Sequence, residues 1–228
     1  MMPFRGEVVD SGDLDLEAMD RAFLTESGAL RACSASEFAA FSRDHVRLWA
    51  QARGRYLLPT KELVYWLNMG PLMRITLEDP NKILEVGAGM GDLAVFLGIR
   101  STDSGVQTRR DMRLLYGMLG QAVTKPPKHV EKLDAIAAAK KYKPHTIVAS
   151  WVTQAYRDGD AENRVGSCMY GPDEAHLLNL CKRYIFIGNE EVHKDKRILS
   201  MPHETHHPEG HVSRAADQSK NVVWIWQR

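Results

Sequence analysis

Cysteine is scarce in this chain, and its three cysteines form no recognisable pattern. Cys33, Cys168 and Cys181 are widely spaced and include no C-x-x-C pair. A disulfide framework or a cysteine-based zinc site would need paired or closely spaced cysteines. We therefore expect reduced thiols in a cytoplasmic protein.

Long apolar runs and an excess of charge are missing as well. No run of about 18 apolar residues occurs, so the sequence predicts no membrane span. Residues 1–20 contain no apolar h-region, so we expect no secretory signal. Thirty basic residues face twenty-nine acidic ones, which leaves no overall field to attract nucleic acid or an anionic membrane. Composition gives no indication of the oligomeric state.

The 228 residues divide into a helical extension, residues 1–70, and an α/β domain, residues 71–228. Helical spacing of apolar residues predicts helices over residues 13–24, 34–54 and 60–70, the second opened by a capping box of Ser34 and Glu37. From residue 80, short apolar runs alternate with helical segments. Strands are predicted at 82–86, 98–103, 129–133, 146–151, 184–187 and 222–226.

This alternation predicts a Rossmann-like three-layer sandwich with a mostly parallel sheet. Two long irregular segments, residues 152–170 and 189–221, follow predicted strands. Because ligands of open α/β sheets bind beyond the carboxyl ends of the strands, we expect the substrate there. Arg164, Tyr170 and Arg214 lie in these segments and are candidates by location only.

A glycine-rich turn, EVGAGMG at residues 85–91, separates the first predicted strand from a helix. Glycines let the backbone turn sharply and approach a ligand closely, and the following helix offers free N–H groups. The third glycine comes one residue too early for the dinucleotide pattern G-x-G-x-x-G. Acidic residues end the next two strands, at Asp103 and Asp134. Both acids also suit helix N-capping, which is the alternative interpretation.

The acid followed by G-x-G-x-G resembles motif I of the class I S-adenosylmethionine-dependent methyltransferases. This resemblance implies that Glu85 lies near the methionine moiety and that Asp103, with Ser104, lies at the ribose hydroxyls. It implies that Asp134 accepts the adenine amino group, with Ala135 beside the ring. The turn itself would cradle the cofactor through Gly87, Ala88, Gly89 and Gly91.

Further segments resemble a group of bacterial and phage methyltransferase-like proteins. This resemblance does not indicate a substrate. These segments are residues 54–63, 102–104, 149–153 and 187–193. Tyr56, in the first of them, would touch the methionine carboxylate or simply pack its helix. Ser150 and Trp151 end the fourth strand, where the indole would stack on adenine, cover the substrate or pack in the core.

The same strand lacks the motifs of nucleic-acid methyltransferases. It carries SWVT at residues 150–153 in place of an Asn/Asp-Pro-Pro-Tyr/Phe box, and no Pro-Cys pair follows it. We therefore do not expect methylation of adenine N6, cytosine N4 or cytosine C5. After the fifth strand, Glu190 and His193 are candidates for a catalytic carboxylate and general base, with a solvated loop as the alternative.

Five of the nine histidines fall between residues 193 and 211, but no complete metal motif accompanies them, and we assign no metal ligand. The sequence thus predicts an S-adenosylmethionine-dependent methyltransferase acting on a small molecule or a protein. Two alternatives stay open. One is a cofactor- or nucleotide-binding module without methyl transfer, in a regulatory or phage–host interaction role. The other is a metal-dependent enzyme that uses the histidine-rich loop.

Overall fold

The computed structural model describes residues 14–70, 79–155 and 167–228 of the chain. The helices in these ranges are α1 (Leu16–Phe23), α2 (Ala35–Ala39), α3 (Arg43–Ala52), α4 (Lys61–Met69), α5 (Asp92–Leu97), α6 (Arg110–Met118), α7 (Ala135–Tyr142), α8 (Glu174–Asn179) and α9 (Glu190–His193). The strands are β1 (Leu57–Leu58), β2 (Ile83–Val86), β3 (Arg100–Asp103), β4 (Glu131–Lys132), β5 (Thr146–Ser150), β6 (Gln154–Ala155), β7 (Ser167–Cys168), β8 (Arg183–Asn189), β9 (Glu204–His206), β10 (Val212–Ser213) and β11 (Asn221–Gln227).

The main sheet has seven strands in the order β4-β3-β2-β5-β8-β11-β9. The first five of these are parallel, and β11 runs antiparallel to both of its neighbours. From β2 the chain adds β3 and then β4 on one side of β2, and it then crosses back to form β5 on the other side of β2. The carboxyl ends of β2 and β5 therefore diverge into different connections, which leaves a crevice between them.

Helices cover both faces of this sheet because its central strands carry apolar residues at successive positions. One face of β2 and β5 packs against α7 and α8 through a cluster that includes Leu84, Ile147, Ala138 and Leu177. The opposite face packs against α4 and α5 through a second cluster around Ile83, Val148, Leu63 and Leu93. The predicted mixed α/β architecture with a mostly parallel sheet is confirmed.

The N-terminal helices α1 to α3 form a separate core. Phe23, Phe38 and Trp49 are buried together there, and the Trp49 indole donates to Asp20 at 2.9 Å. Helix α4, on the extension side of the predicted boundary at residue 70, packs against the sheet instead. A two-stranded ribbon of β1 and β10 joins the segment that precedes α4 to the one that precedes β11.

Two predictions of local structure differ from what is observed: the single helix over residues 34–54 and the irregularity of the two long segments. The single helix expected over residues 34–54 is wrong, because Ser42 adopts an extended conformation and caps α3 by accepting from the His45 N–H. The capping box of Ser34 and Glu37 is confirmed at the start of α2. The two segments expected to be irregular contain short strands: β6 and β7 in 152–170, and β9 and β10 in 189–221. The edge pairing of β9 with β11 has no strong local pattern.

Among the described residues, no helix is both long and apolar enough to cross a bilayer.

A buried ionic network ties α8 to β8 and to the segment after α9. Lys196 donates to one oxygen of Glu174 at 2.6 Å, and the Tyr184 hydroxyl donates to the other at 2.8 Å. The side chains of the ion pair are 2% and 3% exposed. Both charges are therefore removed from water and depend on each other for compensation.

Replacing Lys196 by methionine should leave the Glu174 carboxylate buried without its cation. We expect Lys196→Met to lower the free energy of unfolding by about 3–5 kcal/mol, measured by urea denaturation. The matched control is Lys194→Met, which removes an exposed pair with Glu191 and should leave the unfolding midpoint unchanged. Equal midpoints for both variants and the unaltered chain would contradict a stabilising role for the buried pair.

Candidate functional site

A cavity of about 680 Å³ opens beyond the carboxyl ends of β2, β3 and β5. Cavities of this size accommodate small-molecule ligands, which typically occupy about 300–1,000 Å³. Its wall combines the glycine turn with the segments that lead into β1, follow β3 and follow β5. The residues that line it are 54–57, 59, 85, 87–90, 92, 93, 103, 104, 106, 107, 111, 112, 115, 116, 119, 121, 124, 150–153, 169–172 and 214.

The glycine turn forms the floor of this cavity and adopts a conformation that favours glycine. Gly87 and Gly89 have φ angles of 62° and 56°. A Cβ on Gly87 would lie 2.3 Å from Val152 Cγ1, so a side chain there would collide with the segment after β5. A Cβ on Gly89 would lie 3.2 Å from Thr124 Cγ2. The bare backbone thus allows close approach from two sides.

The Asp103 carboxylate is bound by backbone N–H groups on both sides. Its two oxygens accept from Gly89 at 2.9 Å and from Gly105 at 2.7 Å. These bonds fix the carboxylate at the rim of the cavity and hold the glycine turn against the end of β3. Among the described residues, no Lys or Arg forms an ion pair with Asp103.

Glu85 is a buried carboxyl at the end of β2. It accepts a hydrogen bond from the Ala94 N–H at 3.0 Å. Burial raises the pKa of Glu85 to about 8, helped by the nearby carboxylates of Asp92 and Asp103, although the Ala94 N–H acts in the opposite direction. The side chain is therefore mostly protonated at neutral pH, and a cationic ligand beside it would favour its ionised form.

The N-terminal extension closes one side of the cavity. Buried Arg55 forms a salt bridge with Asp92 at the start of α5, with Nε 2.9 Å from the carboxylate. The next residue, Tyr56, places its hydroxyl 3.0 Å from that of Tyr116 on α6. The guanidinium of Arg214 stacks on the Tyr56 ring at 3.4 Å. Three distant parts of the chain therefore meet at Tyr56.

Trp151 follows β5 in an unusual backbone conformation, with φ of 55°. A bulky residue with positive φ is strained and needs surrounding contacts to hold it. Its backbone N–H donates to Ile187 at 3.0 Å, and its ring lies 6.1 Å from Tyr56 and 5.1 Å from His193. The strain turns the indole into the cavity wall, beside Ser150.

Most of the proposed cofactor residues line this one cavity. They are Tyr56, Glu85, Gly87, Ala88, Gly89, Asp103, Ser104, Ser150 and Trp151. Gly91, Asp134 and Ala135 do not line it. Asp134 instead caps α7 by accepting from Ile136 at 3.1 Å and Ala137 at 3.0 Å, which is the alternative role considered for it. Arg164 lies outside the described residues.

The two proposed catalytic residues also lie outside the cavity lining. His193 is buried between Trp151 and Phe186, and its Nδ1 accepts from the Asn189 N–H at 3.0 Å. Burial and the charge of Lys196 lower the pKa of His193 to about 3, so the ring stays neutral at physiological pH. Glu190 approaches His207 at 3.5 Å. In this geometry His193 supports Trp151, and neither residue is positioned as a base.

Several cavity residues carry no local sequence signal. Thr124 donates through its hydroxyl to the Gly54 carbonyl at 2.8 Å and through its backbone N–H to Gln107 at 2.9 Å. Thr124 and Gln107 lie between predicted elements, in segments that show no hydrophobic periodicity. Their position depends on contacts across 17 and 70 residues of chain, which no short motif reveals.

The histidine-rich segment does not converge on a metal-binding arrangement. His206 contacts Glu204, His207 contacts the Asn221 carbonyl, and His203 contacts the Met201 carbonyl. In the ranges that the structure covers, no three His, Cys, Asp or Glu side chains are grouped to hold a metal ion.

No protein-family model matches this chain, and no curated protein is significantly similar to it.

The raised pKa of Glu85 has a measurable effect on stability. The folded chain keeps this proton to about pH 8, whereas the unfolded chain loses it near pH 4.5. Because the folded state then holds the extra proton, stability falls as pH rises through this window, by at most about 1.4 kcal/mol per pH unit. Glu85→Gln removes the titration and retains an acceptor for the Ala94 N–H. We expect the variant to gain stability over the unaltered chain between pH 5.5 and 8.5, measured by urea denaturation. A parallel pH dependence for both proteins would contradict the assignment.

Proposed function

We propose that this chain is a Rossmann-like, class I-type methyltransferase that binds S-adenosylmethionine in the cavity and transfers its methyl group to an acceptor. The observation that carries the proposal is that the glycine turn, Glu85 and Asp103 line a single cavity at the carboxyl rim of the sheet.

The strand order supports the same proposal. Numbered along the chain within the main sheet, it reads 3-2-1-4-5-7-6, and its first five positions follow the doubly wound order. The sheet ends in an antiparallel pair, β9 and β11. The cavity lies at the switch point between β2 and β5, where ligands of such sheets bind.

The residues present fit the chemical groups of this cofactor. Gly87 and Gly89 let the turn pack closely against Val152 and Thr124 at the cavity floor, Asp103 offers a carboxylate for ribose hydroxyls, and Glu85 lies where an ammonium would stabilise its ionised form. When bound, the cofactor supplies a methyl group activated by a sulfonium. The chain's own task is to position the acceptor in line and exclude water, which Tyr56 and Trp151 favour by closing the wall.

The outer part of the cavity indicates the kind of acceptor. Met112, Leu115, Leu119 and Met169 line it, and the last three are 44%, 54% and 71% exposed. Together they give the opening an apolar rim. A small molecule, or a side chain of a protein, with an apolar part would fit this rim better than a nucleic acid, and the near-neutral chain agrees with that choice.

A second candidate function is binding of the same cofactor without transfer, in a regulatory or phage–host interaction role. The observation in its favour is that Glu190 and His193 lie away from the cavity, so no proton acceptor has been assigned there. A methylated product formed from labelled cofactor would rule out this second candidate.

Calorimetric titration with S-adenosylhomocysteine tests the proposed binding. We expect Asp103→Asn to weaken binding by roughly 10- to 100-fold, because hydrogen bonds to a charged group contribute about 1.5–3 kcal/mol. The matched control is Asp134→Asn, since Asp134 caps α7 outside the cavity and its replacement should leave the affinity unchanged.

Two results would count against this account of the site. Absence of heat from the folded, unaltered chain at high ligand concentration would reject cofactor binding. Weakening by Asp134→Asn but not by Asp103→Asn would place the nucleoside elsewhere on the rim.

A further inference from the structure

Arg214 places its guanidinium in the cavity wall, where it has no carboxylate partner among the described residues. Its backbone N–H donates to the Tyr56 carbonyl at 3.0 Å, which extends the ribbon of β1 and β10. Its side chain stacks on the Tyr56 ring, and one terminal nitrogen donates to Gln121 at 3.3 Å. The remaining terminal nitrogen, Nη1, is buried and has no hydrogen-bond partner.

The Lys and Arg side chains that are fully buried in the described chain are compensated. Arg55 pairs with Asp92, and Lys196 pairs with Glu174. No Asp or Glu among the described residues forms an ion pair with Arg214, and its nearest side chains are phenols and an amide. Arg214 is partly buried, and withdrawing part of a charge from water without a counter-charge is costly, so a ligand anion would compensate it.

Trp151 adds a second unpartnered donor to the same wall. Its indole Nε1 is buried without an acceptor, and an indole can only donate. Trp151 and Arg214 both pack against Tyr56. The ring centroids of Trp151 and Tyr56 are 6.1 Å apart, and the Arg214 guanidinium lies over the Tyr56 ring. The Tyr56 hydroxyl lies 3.0 Å from that of Tyr116 and also interacts with the Arg214 guanidinium, but neither contact reaches Arg214 Nη1 or Trp151 Nε1, which have no partner in the described part of the chain. The wall around Tyr56 therefore holds two donors, Arg214 Nη1 and Trp151 Nε1, that lack an acceptor among these residues.

We propose that Arg214 and Trp151 form an anion subsite of the cavity that holds a ligand carboxylate. The inference deepens the proposed function, on which it rests for the identity of the cofactor. The carboxylate has two sources: the amino-acid part of S-adenosylmethionine, or the methyl acceptor. The same two donors serve both, because each source presents a planar group that accepts from a guanidinium and an indole.

The first experiment uses the unaltered chain and pairs of ligands that differ only in the carboxylate. S-adenosylmethionine is compared by calorimetry with its decarboxylated form, which keeps the sulfonium and the ammonium. Benzoate is compared with benzamide on the chain saturated with S-adenosylhomocysteine, and again without it. We expect a carboxylate preference of roughly 10- to 100-fold in one of these pairs.

The second experiment asks whether Arg214 is the source of that preference. Arg214→Met removes the charge and keeps an apolar contact with Tyr56, and Arg214→Gln keeps a polar group for Gln121. The matched control is Arg110→Met, which removes an exposed arginine of α6 outside the cavity lining. We expect both Arg214 variants to lose the preference and the control to keep it, with folding checked by circular dichroism.

The outcomes separate this subsite from the proposed function. Loss of the preference for S-adenosylmethionine assigns the subsite to the cofactor, and loss of the preference for benzoate assigns it to the acceptor. Benzoate binding that depends on Arg214, without any cofactor binding, supports the subsite and rejects the proposed function. The subsite alone is overturned if the cofactor binds but neither ligand pair shows a carboxylate preference. It is also overturned if the preference survives in both folded Arg214 variants. No binding of any of these ligands overturns both.

Discussion

The hydrogen bond between the Asp103 carboxylate and the Gly89 N–H joins the ends of two adjacent parallel strands. It exists because β2 and β3 pair in a register that places Val86 beside Thr102, one residue before each strand turns. Gly89 presents its N–H to this carboxylate from a left-handed backbone conformation, with φ of 56°, that favours glycine. The cavity, the position of Glu85 and the start of α5 all depend on this junction between neighbouring strand ends.

The N-terminal extension completes the cavity that the sheet begins. Arg55 anchors it to Asp92 on α5, and the pairing of β1 with β10 brings Arg214 over Tyr56. The Thr60 hydroxyl also donates to the Gly210 carbonyl at 2.7 Å, across 150 residues of chain. These contacts build the cavity wall from residues 54–60 and from residues 210–214. A change in the extension would therefore alter the site without touching the glycine turn.

The sequence predicts the parts of this structure that carry local signals. Spacing alone predicts the glycine turn, the alternation of strands and helices, and the position of Asp103 at a strand end. The glycine turn and Asp103 both line the cavity. Asp134 shows the limit of that reasoning, because an acid before a helix serves equally as a ligand or as a cap, and here it caps α7. Residue type alone predicts His193 as a general base, yet burial keeps its ring neutral behind Trp151. Thr124 and Arg214 reach the cavity through long-range contacts, so no local pattern identifies them.

The most direct test of the central claim is a crystal structure of the chain grown with S-adenosylhomocysteine. We expect the ligand to lie against Gly87 and Gly89, with its ribose hydroxyls within hydrogen-bond distance of the Asp103 carboxylate. Two results would contradict the proposed role of these adjacent strand ends. The ligand could bind elsewhere on the molecule, or Asp103 could bond only to Gly89 and Gly105 and make no contact with the ligand.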